Sequence, residues 1–83
     1  MNSELDGKIV LVTGGAGGIG SVISESFAEQ GAKVIIHYKH SKEKAELIAK
    51  KIEGVAMYAD LTDSAQTKEL FNDLIDKEGK IDI

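Results

Sequence analysis

The segment Lys8-Ile9-Val10-Leu11-Val12-Thr13-Gly14-Gly15-Ala16-Gly17-Gly18-Ile19-Gly20 decides how the rest of the chain is read. Its first half is apolar in succession rather than in alternation, as in a parallel strand covered on both faces. Its second half is a glycine-packed turn. An amphipathic stretch then begins at Ile19, with Ile19, Val22, Ile23 and Phe27 at helical spacing. Strand, glycine turn and helix in this order are the layout of a dinucleotide phosphate site. Two registers fit the glycines: Gly15-x-Gly17-x-x-Gly20 and Gly14-x-x-x-Gly18-x-Gly20, the second preceded by Thr13. In both, glycine permits positive φ and close approach of backbone to a pyrophosphate. The helix start supplies free N–H groups and a favourable dipole. Gly20 is expected to allow close packing of helix on strand.

Outward from this segment the chain alternates. Lys8 to Val12 is expected as the first strand and Ile19 to Gln30 as the first helix, closed by Gly31 at the position after the cap. Lys33 to His37 reads as the second strand. Ser41 is suited to cap the next helix, whose stripe is Ala45, Ile48, Ala49 and Ile52 and which Gly54 closes. Val55 to Tyr58 reads as the third strand. Thr62 or Asp63 then caps a helix carrying Leu70, Phe71, Leu74 and Ile75 and ending near Gly79. Ile81-Asp82-Ile83 reads as the opening of a fourth strand. The order β-α-β-α-β-α-β(start) implies α/β architecture, a parallel sheet with helices on its faces. In strand order 3-2-1-4, a fourth strand cut short leaves the first as an exposed apolar edge, prone to pairing with other chains.

The totals narrow the function classes. Eighty-three residues form one small domain at most, burying roughly 60–65% of the unfolded surface. A 42% apolar and 29% charged composition fits a globular protein. The net charge of −4 argues against nucleic acid or an anionic membrane as partner. Without cysteine there is neither a disulfide framework nor a thiolate metal site, and the two histidines have no metal-ligand partner at suitable spacing. The N-terminal residues lack a secretion signal, so a cytoplasmic location is expected. No Gly-Lys-Ser/Thr follows the turn, which disfavours an NTPase phosphate loop. The charges after strand two disfavour a methyltransferase.

Those charges also discriminate between cofactors. NAD sites place an acid at the end of strand two to accept from the ribose 2′-hydroxyl. Here the run is His37-Tyr38-Lys39-His40-Ser41, with no acid. Lys39 is suited to pair with a 2′-phosphate, and Ser41 or His40 to add a hydrogen bond. NADP is therefore expected rather than NAD. Tyr38 is placed to pack beside the adenine or to cover the sheet. Asp60, after strand three, is suited to accept from the adenine amine, with the Leu61 N–H serving a ring nitrogen. The competing reading of Asp60 is a turn aspartate.

Several independent motifs now coincide. Leu5-x-Gly7-Lys8-x-x-Leu11-Val12-Thr13-Gly14-x-x-x-Gly18-Ile19-Gly20, Gly31-Ala32-Lys33-Val34, Asp60-Leu61-Thr62-Asp63 and Gly79-x-Ile81-Asp82-Ile83 resemble the opening of the short-chain dehydrogenases/reductases. The likeness spans the chain. Within the family it looks most like 3-oxoacyl-[acyl-carrier-protein] reductases and glucose dehydrogenases. The resemblance implies a Rossmann-type sheet of which residues 1–83 are the N-terminal part. It implies hydride transfer between NADP(H) and a carbonyl or alcohol, in a homo-oligomer. It assigns the phosphate turn to Gly14, Gly15, Ala16, Gly17, Gly18, Ile19 and Gly20, steadied by Thr13. Ribose selection falls to Tyr38 and Lys39, and adenine contact to Asp60 and Leu61. Many NADP-dependent members carry a basic residue where this chain has Gly17, so phosphate selection rests here on Lys39.

The family's catalytic Asn, Ser, Tyr and Lys are expected beyond Ile83, so no catalytic residue and no metal ligand is assigned. Tyr38 and Lys42 have the spacing of the catalytic Tyr-x-x-x-Lys pair. They span a strand end and a helix start rather than one helix face, so the match is coincidental. A second reading is a stand-alone, non-catalytic dinucleotide-binding or interaction module.

Overall fold

Both faces of the central strands are covered, which is why they read as unbroken apolar runs. The computed structural model describes residues 5–14 and 16–83. The elements are β1 (Ile9–Val12), α1 (Gly18–Glu29), β2 (Lys33–Tyr38), α2 (Lys42–Lys51), β3 (Val55–Tyr58) and α3 (Ser64–Glu78). They depart from the sequence reading by a residue or two at their ends. The sheet is parallel, with β2 between β1 and β3. Val12 pairs with Ile36, and Tyr38 with Tyr58.

Strand alternation sorts the side chains onto two layers. Val10, Val12, Val34 and Ile36 face α1 and α2 and pack with Ala45, Ala49, Phe27 and Ala28. Ile9 and Ile35 face the other way, onto Leu70 and Leu74 of α3. Ile35 and Ile36 are fully buried, each contributing roughly 1.5–3 kcal/mol of apolar burial.

α1 buries a different face from the one its apolar spacing suggests, and α3 buries only half of its stripe. In α1, Ile19 and Val22 are 80% and 62% exposed, Ile23 is also exposed, and Ser24 is fully buried. The face toward the sheet is formed by Ser24, Phe27 and Ala28. Small side chains let the helix backbone come close to the sheet, which sets the rotation of the helix. The Ser24 hydroxyl is satisfied by donating to the Gly20 carbonyl at 2.8 Å. In α3, Leu70 and Leu74 are buried while Phe71 and Ile75 lie largely exposed.

The helix ends show why the glycines stand where they do. After α1, Gly31 takes φ 93°. Its N–H donates to Ala28, and the N–H of Ala32 donates to Phe27, the Schellman arrangement. After α2 the same bonds recur one residue earlier than expected. Glu53 takes the left-handed position at φ 56°. The N–H of Glu53 donates to Lys50, and that of Gly54 to Ala49. Gly54 has an ordinary φ; a Cβ there would collide with the Val34 carbonyl oxygen. Close backbone approach to β2, not helix closure, requires the glycine. Asp63 rather than Thr62 caps α3, accepting from the N–H groups of Ala65 and Gln66.

The outer edge of β1 is partly paired rather than bare. The N–H of Ile83 donates to the Ile9 carbonyl at 3.2 Å, and the N–H of Leu11 donates to Ile83 at 2.8 Å. That is the parallel ladder pattern. The Asp82 carboxylate also accepts from the Ile9 N–H at 2.8 Å. Residues 81–83 therefore lie beside β1, opposite β2, where a fourth strand was expected.

Candidate functional site

At the carboxyl end of the sheet the chain leaves β1 at Thr13 and turns at Gly14, which takes φ 65°. The Gly17 N–H donates back to the Gly14 carbonyl at 3.1 Å. Gly17 is the N-cap of α1 and has no side chain to satisfy the first-turn N–H groups. Ser41 occupies the N-cap of α2, as expected, but its hydroxyl makes no capping bond. Two helix starts therefore keep their first-turn donors free of side-chain caps. Both border one open groove of about 280 Å³, lined by Gly14, Ala16, Gly17, His37, Tyr38, Lys39, His40 and Ser41.

The groove unites Gly14, Ala16, Gly17, Tyr38, Lys39 and Ser41, six of the thirteen site residues assigned from the sequence. Ala16 is buried and anchors the turn in the core. Gly15 lies outside the described residues. Gly17 and Gly18 have no positive φ. A Cβ at Gly18 would meet nothing, and one at Gly17 only the Gly14 carbonyl at 3.4 Å. Nothing within the described chain calls for glycine at position 18, so the open space over the turn suits a group from outside it. Thr13 and Ile19 are exposed, and Gly20 is half-buried.

Asp60 and Leu61 lie beyond the groove lining. Asp60 reaches it through Lys39, whose Nζ is 3.3 Å from Asp60 Oδ2. Asp60 is also a turn aspartate. Its Oδ1 accepts from the Thr62 N–H at 3.0 Å and from the Thr62 hydroxyl at 2.6 Å. Thr62 first, and then Lys39, hold the Asp60 carboxyl below the usual carboxylate range. The Asp60 N–H donates to Gln66 Oε1. Tyr38 stands edge-to-face with Tyr58, ring centroids 5.9 Å apart, and packs against the α1/α2 core.

His37 was given no role by the sequence reading, and the structure places it at the centre of this end of the sheet. It is 6% exposed. Nδ1 accepts from the Gly14 N–H at 3.2 Å, and Nε2 lies 2.7 Å from the Ala59 carbonyl. A carbonyl only accepts, so Nε2 carries the proton and the ring is the neutral Nε2–H tautomer. The available signal was parity: His37 shares a face with Ile35 and lies one step past the Val12–Ile36 pair.

A larger notch, about 350 Å³, lies toward the opposite ends of α1 and α2 and is lined by Glu25, Ala28, Glu29, Lys51, Ile52 and Glu53. Its three carboxylates face one lysine, itself bonded to Glu25 at 2.9 Å, so it is unsuited to an anion. Among the described residues no cluster of three or more His, Cys, Asp or Glu is placed to hold a metal. No helix there is long and apolar enough to cross a membrane.

Comparison with known proteins agrees with this fold. The chain is 39% identical to versicolorin reductase 1 of Aspergillus parasiticus, over 99% of its own length and 33% of that protein. It is 38% identical to elsinochrome reductase 1 of Elsinoe fawcettii, over 98% and 32%. A short chain dehydrogenase from Burkholderia cenocepacia, solved in complex with NADP, superposes with a TM-score of 0.90 at 34% identity. The match covers 96% of this chain and 35% of that one. The chain thus spans about a third of the length of the curated relatives it matches. Residues 8–83 match the family described as short chain dehydrogenase, and the chain belongs to that family.

Proposed function

We propose that residues 1–83 are the N-terminal, cofactor-binding part of an NADP(H)-dependent oxidoreductase acting on a carbonyl or alcohol. The observation that carries this reading is the groove in which the uncapped starts of α1 and α2 meet Lys39. The first-turn N–H groups after Gly17 suit a pyrophosphate. Lys39, with the uncapped Ser41 hydroxyl, suits a 2′-phosphate. Asp60 and the Leu61 N–H suit the adenine edge, and Tyr38 suits the ribose. When bound, the cofactor supplies a hydride to the carbonyl or accepts one from the alcohol. The residues of this chain bind and orient it. The NADP in the related Burkholderia structure and the reductase names of the fungal relatives support this reading.

Titration with NADPH and with NADH, followed by backbone amide shifts, tests it. Shifts at Gly14, Gly17, Gly18, Lys39 and Asp60, larger with NADPH, are expected. Equal responses would remove the preference for NADP; no response to either would remove the cofactor site.

A further inference from the structure

The geometry points to His37 as a positioning residue that sets the phosphate turn through Gly14, so that cofactor affinity depends on the acceptor its Nδ1 offers. The inference rests on the proposed cofactor site. The imidazole is buried and tied at both nitrogens, to the Gly14 N–H at 3.2 Å and to the Ala59 carbonyl at 2.7 Å. Gly14 begins the turn whose N-cap, Gly17, opens the groove. Ala59 precedes Asp60, the partner of Lys39. One ring therefore joins the phosphate turn to the adenine side across the end of β2. Protonation would put an N–H at Nδ1 against the Gly14 N–H. That contact would then be lost and two donors would face each other.

The electrostatic surroundings are simple. β1 and the turn, from Ile9 to Gly17, carry no ionisable side chain. β2 carries Lys33 at its start, and Lys39 follows its last residue. β3 and the loop after it bring Tyr58, of opposite strand parity to His37, and Asp60, which is paired with Lys39. From α3 the sheet-facing residues are the apolar Leu70 and Leu74, with Asp63 engaged at the cap.

Asparagine and glutamine separate the two bonds. In His37→Asn the Oδ1 atom stands where Nδ1 stood and can still accept from Gly14. In His37→Gln the Nε2 atom can still donate to Ala59, but the Gly14 N–H is left without an acceptor. NADPH affinity is expected to stay within about twofold for the first and to fall about tenfold for the second. In the unsubstituted protein, imidazole ¹⁵N shifts should report the Nε2–H tautomer.

Equal losses in both variants, no loss in either, or imidazole ¹⁵N shifts that show the Nδ1–H tautomer would each overturn the inference and leave the cofactor site standing. Absence of NADPH binding by the wild type would overturn both.

Discussion

Lys39 and Asp60 hold each other across the carboxyl ends of β2 and β3, Nζ 3.3 Å from Oδ2. The residue suited to a 2′-phosphate is thus positioned by the residue suited to the adenine. Lys39→Met is expected to weaken NADPH binding about tenfold, the scale of a charge-assisted hydrogen bond. NADH binding should stay within about twofold. Fluorescence titration of both cofactors checks this, and equal loss for the two would take phosphate selection away from Lys39.

The Asp82 carboxyl is held below the usual carboxylate range, first by the Ile9 N–H and then by Lys80. A lowered folded-state pKa gives stability that is present above the unfolded value, near pH 4, and lost as pH falls through the folded one. Asp82→Asn should therefore be less stable than the wild type at pH 7. The difference should narrow as pH falls through the folded-state value and close once the wild-type carboxyl is neutral as well. Urea unfolding across acidic pH is the measurement; a gap that does not narrow as pH falls would assign the effect to packing.

Glu53 and Gly54 have opposite predictions although they are neighbours. Glu53 bears the left-handed strain at φ 56°, so Glu53→Gly should stabilise by about 0.5–1 kcal/mol, net of the added freedom of the unfolded chain. Gly54→Ala forces a Cβ onto the Val34 carbonyl and should destabilise by about 1–3 kcal/mol. Denaturant midpoints at constant slope distinguish the two.

Ser24→Leu tests the small-residue face of α1. Ser24 is fully buried against the sheet, and a larger side chain there must push the helix away. A loss of about 1–3 kcal/mol is expected, read by thermal or denaturant unfolding. A neutral outcome would mean that α1 can rotate onto its Ile19–Val22–Ile23 stripe.

The sequence by itself determined the order of elements, the parallel sheet and the placing of the glycine turn between strand and helix. Those features follow from local rules: uninterrupted apolar runs for strands covered on both faces, and glycines where the backbone must turn tightly. The stripe of α2 was equally legible, because Ala45 and Ala49 are both apolar and small enough to bury. The buried face of α1 was not legible: apolar spacing points to Ile19, Val22 and Ile23, whereas the distance of helix to sheet selects Ser24. The left-handed Glu53 and the need for Gly54 were likewise decided by how near β2 passes. The Lys39–Asp60 pair and the His37 bridge join residues 21 to 23 positions apart. Only the register of three parallel strands brings them together, since periodicity along a chain says which way a side chain points and not what it meets.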